Sequence, residues 1–247
     1  MSIDTTQVEV HPDAGALATA IAGALLRRIV EAQADGGVPR ICLTGGTIAD
    51  AVHHELARLS STSDADWTRV ELWWSDERFV DRGSSERNAG AARAAFVDLL
   101  GIPVEHVHEM ASPHDVVDLA AGAAAYAEAL RAHGGDGFEV TMLGVGPDGH
   151  VASLFPRRPE LVVVDRDVVV VNDSPKLPSE RISLTLPALN RSRAVWLLVS
   201  GDSKAEAVAR ALSGAEPATT VSEIPAVGVH GTVETVWFLD KASASLL

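Results

Sequence analysis

Three apolar runs in this chain stop abruptly in glycine or in charge: Arg40–Leu43 before Thr44-Gly45-Gly46-Thr47, Val70–Trp74 before Ser75-Asp76-Glu77-Arg78, and Phe138–Leu143 before Gly144-Val145-Gly146-Pro147-Asp148-Gly149-His150. Short continuous apolar runs bounded by turn residues read as strands buried on both faces, which is the habit of parallel sheets. Between them lie stretches with helical spacing, so the order alternates and the fold class is α/β. In open parallel sheets ligands bind beyond the carboxyl ends of the strands. The three polar turns are therefore expected on one edge.

The spacing predicts helices over about Pro12–Ala34, Thr47–Leu59, Asn88–Leu100, His114–His133 and Asp202–Leu212, with a short one at the C-terminus. Further strands are expected at Val104–His108, Leu161–Val171, Val195–Ser200 and Val233–Leu239. No internal repeat or low-complexity linker divides the 247 residues, which are read as one domain, 1–247. With 47% hydrophobic residues but only 4% aromatics, the core must rest on Ala, Val, Leu and Ile.

The formal net charge of −14 argues against a nucleic-acid partner, because binding phosphate backbones needs a basic footprint. The same charge would repel an anionic substrate unless a local basic cluster held it. Lysines are scarce: Lys176, Lys204 and Lys241 are the only ones. No apolar stretch is long enough to cross a bilayer, and Met1-Ser2-Ile3-Asp4 lacks a basic and apolar leader pattern, so a cytoplasmic chain without membrane partners is expected. The single cysteine, Cys42, excludes an intrachain disulfide and reads as a buried small hydrophobe.

Five segments can carry chemistry. Gly45, Gly46 and Thr47 stand where a strand meets a helix, so backbone N–H groups can receive an anion, with Thr47 as cap or donor; a plain tight turn reads equally well. Asp76, Glu77 and Arg78 read as a solvated loop or as a pocket wall, in which Arg78 pairs with phosphate or with a neighbouring carboxylate. Asn88 reads as the cap of its helix. Gly144–Gly149 matches a dinucleotide-loop pattern formally, but it lies mid-chain, Pro147 removes a donor, and Pro156 forestalls a long helix. What remains is Asp148 two residues before His150, a carboxylate able to orient an imidazole for general-base work. The other eight histidines, His11, His53, His54, His106, His108, His114, His133 and His230, read as surface residues. His106 and His108 have ligand-like spacing with no clear third ligand, and no metal is expected. Arg181 can reach a cleft or pair with Glu180 on the surface. Lys204 follows Gly201 in a first helical turn, where the helix dipole disfavours a cation, so it is read as an anion contact.

Taken in order, these segments resemble the 6-phosphogluconolactonases, a subfamily of the glucosamine/galactosamine-6-phosphate isomerase superfamily. The motifs are Gly45-Gly46-Thr47, Asp76-Glu77-Arg78, Gly144–Pro156, Pro178–Thr185 and Gly201–Lys204, of which Asp148-Gly149-His150-Val151-Ala152-Ser153-Leu154-Phe155-Pro156 is the most specific. Thr44 and Thr47 flank a turn that often holds Ser, and Ile48 stands where the family often has Pro. The resemblance implies a Rossmann-like open, mainly parallel sheet flanked by helices, with a smaller α/β portion. It also implies hydrolysis of 6-phosphogluconolactone to 6-phosphogluconate in the oxidative pentose phosphate pathway, without cofactor, in a monomer or weak dimer. His150 and Asp148 become the catalytic pair, and Gly45, Gly46, Thr47, Asp76, Arg78, Arg181 and Lys204 the substrate contacts. The related glucosamine-6-phosphate deaminases carry a catalytic glutamate five residues after the histidine. Here that residue is Phe155, so the deaminase reading lacks its acid–base group. A sugar-phosphate-sensing regulator is the other alternative, disfavoured by the acidic balance and by the absence of a recognition helix after Pro12–Ala34.

Overall fold

The computed structural model describes residues 5–213 and 221–247. Met1–Asp4, on which the expectation about a leader rests, lie outside them.

Two sheets build the fold. Strands β1 (Thr5–His11), β2 (Arg40–Leu43), β3 (Glu71–Trp74), β5 (Val140–Gly144), β8 (Ala194–Val199) and β9 (Glu234–Asp240) pair in the order β1-β9-β8-β5-β2-β3. Every pairing is parallel. Strands β4 (Asp76–Arg78), β6 (Val168–Val171) and β7 (Arg181–Leu184) form a small antiparallel sheet, β4-β7-β6.

The pleat sorts side chains into two cores, because neighbours on a strand point to opposite faces. Ile41, Leu43, Leu72, Trp74, Trp196, Leu198 and Phe238 pack with Leu17, Ile21, Leu25 and Ile29 of helix α1 (Ala14–Ala34) and with Val52 and Leu56 of α2 (Thr47–Ser60). Cys42, Trp73, Leu143, Leu197, Trp237 and Leu239 face the other way, toward Ile182 and Leu184 of the small sheet and Leu119, Tyr126 and Leu130 of α4 (Leu119–His133). Cys42 is fully buried, and burial raises its thiol pKa far above the usual range, so it is an inert core residue.

Ser75 joins the sheets. Its N–H donates to the Leu43 carbonyl of β2 at 2.8 Å, while its own carbonyl accepts from Leu184 of β7 at 2.8 Å. Within one residue the chain thus leaves the carboxyl edge of the large sheet and enters the small one. The strand order reverses between β2 and β5, and this switch point opens a cleft at the carboxyl ends of the strands.

Several expected elements differ. Strand β1 is absent from the sequence reading; it pairs on one side only, and Val8 and Val10 are exposed, so it lacks the apolar run that marks its neighbours. The helix expected at Asn88–Leu100 is α3 (Asn88–Ala92) followed by a π-helical turn, Arg93–Val97. Val104–His106 is a 3-10 turn, with only Val107 bridging to Leu72, and the Leu161–Val171 run forms a strand over Val168–Val171 alone. Helix α4 begins at Leu119, where Asp118 caps it, and not near His114. The C-terminal helix is a run of turns, because Asp240 takes the Ser243 N–H into a local turn. Helix α6 covers Ala205–Leu212, and α5 is the single turn Leu186–Leu189.

Candidate active site

A cleft of about 560 Å³ lies over the switch point. The turn after β2, the turn after β5, the Ser200–Lys204 turn after β8 and two strands of the small sheet line it. Gly45, Gly46, Thr47, Asp76, Arg78, His150, Arg181 and Lys204 all face it. Asp148 stands behind His150 and does not line the cleft.

The turn after β5 is shaped around His150. The Gly146 N–H donates to the His150 carbonyl at 2.9 Å, and Gly149 adopts φ 80°, a conformation that glycine takes without strain. This folds the imidazole back so that Nδ1 lies 2.5 Å from Asp148 Oδ1. The ring of Phe155 packs beside it, with centroids 4.6 Å apart. Burial works to raise the Asp148 carboxyl, but the His150 hydrogen bond and the charges of His150 and Lys176 outweigh it, leaving a pKa of about 2. Burial lowers the His150 pKa; the Asp148 hydrogen bond and charge oppose that, Lys176 adds to it, and the net direction is down. At neutral pH the pair is therefore a neutral imidazole and a carboxylate. With Nδ1 donating its proton to Asp148, Nε2 carries the ring's basic lone pair.

The glycine turn after β2 is tight for a second reason. A Cβ on Gly45 would lie 1.9 Å from Asn88 Oδ1, so the side chain of Asn88 occupies the space a larger residue would need. Gly46, at φ 103°, is the N-cap of α2 without a side-chain cap bond. Thr47 is the first helical residue and not the cap, so the N-terminal N–H groups of α2 are left to the cleft. Asn88 likewise is not a cap: it donates from Nδ2 to the Asp76 carbonyl at 3.0 Å and lines the cleft.

Asp76-Glu77-Arg78 is a strand and not a solvated loop. Glu77 is 1% exposed and faces away from the cleft. Its carboxylate accepts from the N–H groups of Arg78, Asn88 and Ala89 and lies 3.9 Å from Arg87, so it caps α3 from within the core. Asp76 accepts from Ser153 Oγ at 2.6 Å. Arg78 pairs with neither carboxylate; Nη1 donates to the Glu86 carbonyl at 2.5 Å, and Nε has no partner among the described residues. Arg181 does not pair with Glu180. It is 4% exposed, and its guanidinium donates to the carbonyls of Lys176, Leu177 and Pro178.

Lys204 closes a 3-10 turn, Asp202–Lys204, as the residue before α6. Lys176, which the sequence reading did not assign to the site, lines the cleft with it. Burial lowers the pKa of both, and each is further lowered by a neighbouring cation, Lys176 for Lys204 and Arg181 and Arg78 for Lys176. The signal for Lys176 was its rarity: two of the chain's three lysines face this one cleft. Four cations thus meet there within a strongly acidic chain.

Elsewhere the surface reading of the histidines is corrected at two positions. His53 is 1% exposed against Phe96, and burial lowers its pKa to about 3. His108 stacks on Trp73 with centroids 3.9 Å apart. Among the described residues no cluster of three or more His, Cys, Asp or Glu is arranged to hold a metal, and no helix is long and apolar enough to cross a membrane.

Comparison with known proteins matches residues 12–237 to the family described as glucosamine-6-phosphate isomerases/6-phosphogluconolactonase. A 6-phosphogluconolactonase of Streptomyces coelicolor is 44% identical over 99% of this chain and 95% of its own. One of Mycobacterium tuberculosis is 42% identical over 98% of this chain and 99% of its own. The crystal structure of a 6-phosphogluconolactonase from Thermotoga maritima superposes with a TM-score of 0.83 at 26% identity, covering 96% of this chain and all of that one.

Proposed function

The chain belongs to the glucosamine-6-phosphate isomerase/6-phosphogluconolactonase family, and from that premise we propose that its cleft works by a histidine-activated water. The chain hydrolyses 6-phosphogluconolactone to 6-phosphogluconate, a step of the oxidative pentose phosphate pathway. The observation that carries the mechanism is the orientation of His150, whose Nδ1 is engaged by Asp148 while the ring lines the cleft.

Water held at Nε2 attacks the lactone carbonyl carbon as the imidazole takes its proton. The tetrahedral intermediate collapses by breaking the bond to the ring oxygen, and the imidazolium returns the proton to that oxygen as it leaves. The products are a free hydroxyl and a carboxylic acid, which ionises in water. Asp148 holds the ring and offsets its transient charge, the role a buried carboxylate plays beside a catalytic histidine. Backbone N–H groups of the glycine turns are candidates for the developing oxyanion.

The phosphate falls to the cations and the open end of α2. Gly46 and Thr47 offer backbone N–H groups, and Arg78 and Lys204 supply charge. Asp76, tied to Ser153, orients sugar hydroxyls. Residues 1–247 act as one unit in this reading, since the cleft needs both sheets.

Freshly prepared 6-phosphogluconolactone and glucosamine 6-phosphate, supplied separately, test the function: acid is released from the first and no ammonia from the second. His150→Ala is expected to abolish turnover while 6-phosphogluconate still binds; full activity in that variant would remove His150 as the base.

A further inference from the structure

The segment Ser174–Ser179 is an exposed turn held from inside by a buried arginine. The Ser174 N–H donates to the Ser179 carbonyl at 3.0 Å, and the Lys176 N–H to Ser174 Oγ at 3.2 Å. Beneath it, Arg181 donates from Nε to the Pro178 carbonyl at 3.0 Å and from Nη2 to the carbonyls of Lys176 at 2.9 Å and Leu177 at 3.4 Å. The guanidinium lies 5.6 Å from the centroid of Phe155, the residue that also packs His150. A planar cation with three of its five donors spent on three consecutive carbonyls is a clamp on the backbone. What the clamp holds in place is Lys176, whose side chain has no hydrogen-bond or ion-pair partner among the described residues and lines the cleft.

Building on the lactonase reading, we propose that Lys176 is the cation facing the reacting carbonyl, where it stabilises the oxyanion of the tetrahedral intermediate, and that Arg181 is a positioning residue that fixes Lys176 there. Position supports the assignment. The turn that carries Lys176 is clamped by Arg181, whose guanidinium packs on Phe155 beside His150, and Lys176 acts on both Asp148 and His150, with Lys204 also within reach of Asp148. Lys176 therefore sits at the catalytic end of the cleft, and Lys204 and Arg78 are left for the phosphate. A fixed positive charge aimed at developing negative charge lowers the barrier without tightening ground-state binding. The charged groups around this end are Asp148, Asp76, Arg78, Arg181 and Lys204.

Lys176→Met tests the proposal, because the side chain is exposed on a turn and its loss leaves the core intact. Expected is a fall in kcat of about 100-fold, the scale of losing one oxyanion donor, with KM for the lactone nearly unchanged. The acid limb of kcat should also move to higher pH, since the cation that depresses His150 is gone. Arg181→Met should lower kcat in the same way, and the double variant should be no worse than Lys176→Met alone. A rise in KM with kcat intact would make Lys176 a phosphate ligand and overturn the proposal. Additive losses in the double variant would overturn the clamp. Should Arg181→Met fail to fold, Arg181→Lys serves in its place. Turnover by the unaltered chain tests the lactonase reading separately; the ratio of variant to unaltered kcat tests only this one.

Discussion

A Cβ placed on Gly146 would lie 2.0 Å from Nδ1 of His150 and 2.4 Å from Oδ1 of Asp148. The proposed catalytic pair is therefore packed directly onto the α-carbon of a glycine, and even one methyl group must displace the ring or the carboxylate. Gly146→Ala is expected to lower kcat by a factor approaching that of His150→Ala, with 6-phosphogluconate binding retained. Steady-state kinetics beside a product-binding titration checks this. Unaltered kcat would show that the ring has another working position.

The imidazole must be neutral to act as base, and its pKa lies below the ordinary 6.5. The rate should be level through neutral pH and fall as acidity rises below 6.5. Asp148 raises His150 more than any other group, ahead of Asp76, so Asp148→Asn should shift this acid limb to still lower pH. It should also cut kcat on the order of 10²- to 10⁴-fold, because the amide no longer holds the required tautomer. A pH profile of kcat for both proteins decides it; a limb moving upward contradicts the assignment.

Lys204 stands at the Gly201 turn beyond β8 and lines the cleft. Lys204→Ala should weaken substrate binding by about 1.5–3 kcal/mol, which is roughly a tenfold to hundredfold rise in KM, with a smaller change in kcat. An unchanged KM would take Lys204 out of the phosphate site.

Glu77 and Arg87 form a pair with side chains 1% and 2% exposed. Removing one member of such a pair leaves the other buried and uncompensated, so Glu77→Ala should reduce unfolding free energy by about 3–5 kcal/mol. Chemical denaturation measures it. A loss below 1 kcal/mol would mean that Arg87 finds another partner, with Glu109 the nearest, also at 3.9 Å.

The residues that were legible in the sequence share one property: their local spacing is their function. Strand β2 ends at Leu43, because the glycines that follow favour a turn over a continued strand, and Asp148-Gly149-His150 lies in a turn short enough for two residues to meet by themselves. The central strands announce themselves by apolar runs that alternate between two cores. Edge strand β1, half-exposed, does not. Glu77 and Arg78 are adjacent in the chain yet part ways, one into the core to cap α3 and one to the cleft, since neighbours on a strand face opposite sides.

The α/β class, the glycine turns at strand ends and the meeting of Asp148 with His150 were all readable from the chain alone, because each depends on contacts within a few residues. Only the tertiary structure decided that Ser75 stitches a second sheet onto the first, that Asn88 packs against Gly45, and that Arg181 is spent on the turn bearing Lys176. Those pairings close across the strand-order switch between β2 and β5 or span turns whose donors no local pattern assigns. Packing, and not spacing, chooses their partners.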